Sequence, residues 1–166
     1  IRYLQTESTI MKYPIGIQDF EKIREDGFVY VDKTALLYDL VTNGTIYFLG
    51  RPRRFGKSLL VSTLENYFLG KKELFKGLAI DSLEKEWKEH PVFHIDFNGN
   101  NFTSPFELKE AIETFISKSE EKYGKDPLAK TYGDRISYVF EKAHEQTGQR
   151  VVVLIDEYDK PLLDVM

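Results

Sequence analysis

An arginine-rich turn closes on Gly-Lys-Ser at residues 51–58, which read R-P-R-R-F-G-K-S. Binding phosphate takes consecutive backbone N–H groups aimed into one concavity, then a helix N-terminus whose partial positive charge attracts the anion. In the general pattern G-x-x-x-x-G-K-[ST] the lysine reaches the β- and γ-phosphates and the hydroxyl ligates Mg²⁺. Here those residues are Lys57 and Ser58, preceded by Gly56. Arg51 stands where the pattern has its first glycine, with Gly50 one residue earlier, so the strict pattern fails by one residue. The candidate nucleotide contacts are therefore Arg51, Pro52, Arg53, Arg54, Phe55, Gly56, Lys57 and Ser58. A basic surface turn before a helix is the plainer alternative. Several cations at a helix N-terminus oppose its dipole unless an anion sits among them, and that conflict favours phosphate.

A second constellation lies at 152–157, V-V-L-I-D-E, an apolar strand that delivers two adjacent carboxylates at its C-terminal end. Ligands of open α/β sheets bind beyond the carboxyl ends of the strands, and the basic loop follows a strand in the same way, so the two motifs should converge. In this Walker B reading Asp156 helps Ser58 hold Mg²⁺, mostly through water, while Glu157 polarises the water that attacks the γ-phosphate. Lys57 and Glu157 are the candidate catalytic residues, with ATP and Mg²⁺ as the implied cofactors. An ordinary strand ending in a polar turn is the alternative for 152–157 taken alone.

The elements that must position these groups follow from periodicity. F-V-Y-V-D-K-T from Phe28 reads as a short strand, and Leu36, Leu37, Leu40 and Val41 as a helix closed by Asn43-Gly44. T-I-Y-F-L at 45–49 reads as the strand that feeds the loop. A helix from about Lys57 carries Leu60, Leu64, Tyr67 and Phe68 on one stripe and stops at Gly70. V-F-H-I-D-F at 92–97 reads as another strand with an Asn-Gly exit. Ser104-Pro105-Phe106-Glu107 has the composition of a capping box opening a helix through Leu108, Ile112, Phe115 and Ile116. A further helix is expected over about 134–145, ending near Gly148. Strands separated by helices predict an α/β fold with a mainly parallel sheet covered on both faces.

Composition narrows the setting. The 166 residues suffice for one domain, and 27 acidic against 23 basic residues, a formal charge of −4, argue against a whole-surface role on nucleic acid or anionic membrane. Nucleic acid enters only as an indirect partner. The absence of Cys removes disulfides and thiolate zinc sites and suits a reducing, cytoplasmic compartment. The longest aliphatic run, 151–155, is far short of the roughly 20 residues that span a bilayer, so no membrane partner is expected. Residues 1–10 lack the order of a signal peptide and are read as a non-native or flexible extension, with Met11 as the native start of a domain over 11–166.

Four segments together carry a resemblance: P-I-G-I-Q-D-F-E-K-I-R at 14–24, Y-V-D-K-T at 30–34, R-P-R-R-F-G-K-S at 51–58 and L-I-D-E-Y-D-K-P at 154–161. Over 13–163 the chain resembles the AAA-ATPase-like family of bacterial proteins, often joined to a C-terminal nuclease domain of the PD-(D/E)XK type. Arg51 agrees with that family's own loop. The resemblance implies a P-loop NTPase fold and an ATPase that drives or regulates an attached or partner activity, with nucleic-acid processing one such output and oligomeric assembly compatible with it. The alternative is a nucleotide-dependent regulatory switch with negligible turnover. It also implies a further strand, later in the chain, between the P-loop and Walker B strands, so the sequence is expected to be truncated after the Walker B strand. Hydrolysis is expected of the complete protein rather than of these residues alone.

Other polar residues have plainer readings. Asp32 and Thr34 are ordinary helix-cap types, though the resemblance hints at a place near the nucleotide base. His94 should face the side of its strand opposite Phe93, with no second ligand at metal spacing. Asp96 reads as a loop-capping carboxylate, and Asp159 and Lys160 as a solvated turn or partners of the basic loop. The Glu- and Lys-rich stretch 118–125 reads as an exposed helix face and its end.

Overall fold

The computed structural model describes residues 11–50, 52, 54–98, 102 and 104–163. The extension read at 1–10 lies outside the described residues. Helices α1 (Phe20–Glu25), α2 (Thr34–Asn43) and α3 (Lys57–Phe68) are followed by a 3₁₀ turn (Lys72–Phe75) and α4 (Ala79–Leu83). Strand β1 (Val92–Asp96), helices α5 (Pro105–Tyr123) and α6 (Tyr132–Thr147), strand β2 (Val152–Asp156) and α7 (Lys160–Leu163) complete the order. The class is α/β.

Apolar surface is removed from water in two places, one on each side of the strands. Phe20, Leu37, Phe75, Leu78 and Ile80 form the first cluster, and Leu59, Leu60, Leu64 and Tyr67 bring the α3 stripe onto it. Phe20 meets Phe75 at 4.8 Å and Tyr30 at 5.1 Å between ring centroids, inside the range of favourable aromatic pairs. The second cluster joins Phe93 of β1 to Tyr123 of α5 and to Val139 and Ala143 of α6. Helix α3 packs on both strands. The layers therefore run from the first helical cluster through α3 to the strands and on to α5 and α6.

The strands pair in parallel, with Val92 opposite Val152 and Asp96 opposite Asp156. Alternation puts Phe93 in the second core, while His94, on the other face, meets Glu65 of α3. β1 is thus covered on both faces, as the sequence predicts. β2 is not: Val153 is 42% and Ile155 50% exposed.

Local chemistry explains the helix ends. Glu107 accepts from the Ser104 N–H at 3.0 Å, completing the anticipated capping box. Thr131 and Asp134 exchange the same bonds at 3.1 Å, which starts α6 two residues earlier than its apolar periodicity suggests. Gly70, at φ 68°, lets the chain turn after α3 with its N–H donating to the Tyr67 carbonyl. A Cβ there would stand 3.2 Å from the Trp87 carbonyl oxygen.

Three expectations change. Residues 45–49 form no strand with any described residue, and Ile46 and Phe48 are 92% and 74% exposed. Apolar, β-branched composition supplies strand propensity, but a strand exists only against a partner strand, and the described residues offer this segment side-chain contacts, Tyr47 with Leu40 and Phe48 with Tyr158, without one. The strand expected from Phe28 reduces to one bridge, Lys12 to Phe28. Asp32 captures that backbone instead, accepting from Thr34 N–H and hydroxyl and from Ala79 N–H at 2.7–2.8 Å, while Thr34 accepts from Ile80 N–H at 3.1 Å. These bonds outweigh the effect of burial and hold the Asp32 carboxyl below its ordinary range. Y-V-D-K-T is a clamp between α2 and α4. Finally, 118–125 is not wholly exposed, because Glu120 and Tyr123 are buried. Glu120 takes Arg135 bidentately at 2.7 and 2.8 Å, and Glu113 takes it at 2.7 Å, tying α5 to α6.

Candidate functional site

At the N-terminus of α3, Gly56 has φ 73°, a left-handed conformation that glycine adopts without penalty, and no side chain caps the helix. The donors of an uncapped first turn, together with the helix dipole, make this end attractive to an anion. At the C-terminal end of β2, Asp156 is buried, and one of its oxygens accepts from the N–H of Glu157 at 2.9 Å. The two ends meet. Gln18, Arg54, Gly56, Lys57, Ser58, Asn98, Glu157 and Lys160 line one open cleft of about 430 Å³.

The cleft brings together five of the residues singled out by the sequence motifs: Arg54, Gly56, Lys57, Ser58 and Glu157. Asp156 lies immediately before its lining, at the end of β2 and level with Asp96 of β1. Pro52 and Phe55 are exposed and do not line it. Arg51 and Arg53 lie outside the described residues. Lys160 reaches the cleft and also stacks its ammonium over Phe102 at 5.7 Å.

Charge in the cleft is unbalanced. Arg54, Lys57 and Lys160 face a single carboxylate, Glu157. Arg54 and Lys57 have no ion-pair partner among the described residues. Cations placed at a helix N-terminus without counter-charges cost free energy that a polyanion would recover. Among the described residues no cluster of three or more His, Asp or Glu could hold a metal by itself. The Ser58 hydroxyl and the Asp156 carboxylate suit Mg²⁺ chemistry, in which one or two protein ligands act with water and phosphate oxygens.

Backbone strain concentrates here. Arg54 at φ 67° and Glu157 at φ 52° are two of three described non-glycine residues in the left-handed region, and both line the cleft. Such conformations cost of order 1–3 kcal/mol each and cluster at ligand clamps. Neither was legible in the sequence, because residue type does not reveal φ.

The cleft also has walls that motif reasoning missed. Asn98 lies in the loop after β1, where its backbone N–H donates to Asp96 at 2.8 Å. The rule that sites sit beyond strand C-termini could have found it. Gln18 belongs to the 14–24 segment, which carries the family resemblance but no chemical motif of its own.

The sequence profile of one protein family, described as "Predicted AAA-ATPase", matches residues 14–166. The chain belongs to the AAA-ATPase-like family. At that coarse level, an AAA-ATPase-like chain is associated with nucleotide and ATP use. The chain is also 44% identical over 154 residues to an "Uncharacterized protein in vnfD 5'region" of Azotobacter chroococcum mcd 1. That match covers 92% of this chain and 30% of the relative, so the chain spans less than a third of the relative's length. No solved structure matches it. Among the described residues, no helix is long and apolar enough to cross a membrane.

Proposed function

We propose that this chain is the nucleotide-binding part of an ATPase of P-loop type, holding Mg-ATP between the 51–58 loop and the end of β2. The observation that carries the reading is the shared cleft: Arg54, Gly56, Lys57 and Ser58 from one motif and Glu157 from the other line it together, although about a hundred residues separate them in sequence. Lys57 and the backbone of the loop take the β- and γ-phosphates, with Arg51 and Arg53 as further contacts. Ser58 and Asp156 share the Mg²⁺, whose chemistry would be to neutralise charge on the transferring phosphoryl group. Glu157 holds a water against the γ-phosphate and takes its proton.

The open edge of β2 and the unpaired segment 45–49 support the expectation of one more strand between them, supplied by later chain. Phe48 and Tyr158 already touch, at 5.2 Å between ring centroids, on this side of the site. In the complete protein, nucleotide turnover would drive or regulate an attached or partner activity, a nuclease-like domain being the partner that the resemblance implies. A separate switch function with negligible turnover predicts a different role for Glu157. In the full-length protein Glu157→Gln should keep Mg-ATP affinity within about threefold and lower steady-state hydrolysis by roughly 10²-fold or more. An unchanged rate would remove Glu157 from the chemistry and favour the switch.

A further inference from the structure

Gln18 lines the same cleft from an element that neither phosphate-binding motif includes. It lies in the turn before α1, where the Ile17 N–H donates to the Pro14 carbonyl at 3.3 Å and Gly16 adopts φ 74°. The next residues fix its place. Phe20 is fully buried, and its backbone N–H donates to Ser62 Oγ at 2.9 Å. Ser62 stands one helical turn after Ser58, so α1 is pinned along the flank of α3 beside the phosphate end. A longer bridge supports the same docking, as Lys71 pairs with both oxygens of Glu21 at 2.7 Å. Gln18 itself is exposed and makes no hydrogen bond to any described residue.

Position and chemistry then separate Gln18 from the rest of the lining. Helix α3 meets α1 through Ser62 and β1 through Glu65, and the strands bring Glu157 and Asp156, where the terminal phosphate and Mg²⁺ belong on the reading above. A nucleotide held in this cleft with its γ-phosphate at Glu157 has its other half left for the remaining lining, to which Gln18 belongs. Phosphate is matched by the cations Arg54, Lys57 and Lys160. A neutral carboxamide, with donors and an acceptor on one planar group, matches instead the mixed hydroxyl and amide-like edges of a ribose or base.

We propose that Gln18 is a specificity residue that hydrogen-bonds the nucleoside half of the ligand, making this cleft a site for a nucleotide rather than for polyphosphate at large. The inference rests on the Mg-ATP reading, and its test separates the two. In the full-length protein, binding of Mg-ATP and of inorganic tripolyphosphate with Mg²⁺ would be measured by calorimetry for wild type, Gln18→Ala, Gln18→Leu and Lys57→Ala. Both Gln18 variants should weaken Mg-ATP by roughly 5- to 10-fold, the loss of about one hydrogen bond, and leave tripolyphosphate within about twofold. Retained tripolyphosphate binding also shows that the variants fold, and Gln18→Leu preserves side-chain bulk. Lys57→Ala should weaken both ligands. Equal losses for the two ligands in the Gln18 variants, or an unchanged Mg-ATP affinity, would overturn the role of Gln18 while leaving the phosphate site intact. A wild-type protein that binds neither ligand would overturn both readings.

Discussion

The helical cluster around Phe20 and the loop-bearing segment 45–49 are built from similar residue types, yet they are treated oppositely by the fold. Phe20, Phe75 and Ile80 are fully buried, whereas Ile46 and Phe48 are largely exposed. What separates them is the supply of partners. α1, α2, α3 and α4 each turn apolar side chains onto one cluster, and the clamp at Asp32 and Thr34 locks two of them together. Segment 45–49 has the composition of a core strand but pairs with no strand among the described residues, touching them only through Tyr47 and Phe48. The loop read as phosphate-binding therefore leads into a closed support, α3 on its helical cluster, and follows an open segment, 45–49.

The sharpest way to break this comparison is a matched pair of truncations. Phe20→Ala should cost roughly 3–5 kcal/mol, because a fully enclosed ring leaves a cavity, while Phe48→Ala should change stability by less than about 0.5 kcal/mol. Denaturant titration of both variants checks it, and similar losses would mean that 45–49 is packed after all. Next in size is Arg135→Met, which leaves the buried carboxylate of Glu120 with only the exposed Lys125, 3.9 Å away, as a counter-charge. A loss of roughly 2–3 kcal/mol is expected, below the range for a fully dry pair because Glu113 remains half exposed to solvent. Thermal melts of Arg135→Met and of Glu120→Gln with Arg135→Met should show the double variant recovering part of that loss.

The smallest effect concerns the contact between α3 and β1. Hydrogen bonding to Glu65 at 3.0 Å, helped by the charges of Glu65, Asp96 and Asp156 and opposed by burial, raises the His94 pKa above its ordinary value. A group whose folded pKa is raised adds stability below its unfolded pKa and loses it as pH rises through the folded value. The stability of the ligand-free protein relative to His94→Gln should be greater at about pH 5.5 than at about pH 8.5. Denaturant midpoints at the two pH values measure this, and a gain that grew with pH would reverse the assignment.

Sequence alone reached the helices where caps and stripes agree. Ser104 with Glu107 and the stripe through Ile116 gave α5, and Gly70 gave the stop of α3. It placed β1 and β2 because their runs are both apolar and paired. It failed at 45–49 and at Phe28, where the same composition lacks a partner or is captured by Asp32. It also missed α1 and α4, which at six and five residues are too short for a helical period to register. The site was half legible: Lys57, Ser58 and Glu157 follow from motif chemistry, but the left-handed backbones of Arg54 and Glu157 and the wall formed by Gln18 and Asn98 depend on tertiary placement.

The most direct test of the site is calorimetric titration of Mg-ATP into the full-length wild-type protein and Lys57→Ala. Measurable binding by wild type that falls by at least about tenfold in the variant is the predicted result, since the proposal assigns Lys57 to the β- and γ-phosphates. Equal affinity in the two proteins would contradict the assignment of residues 51–58 as the phosphate loop.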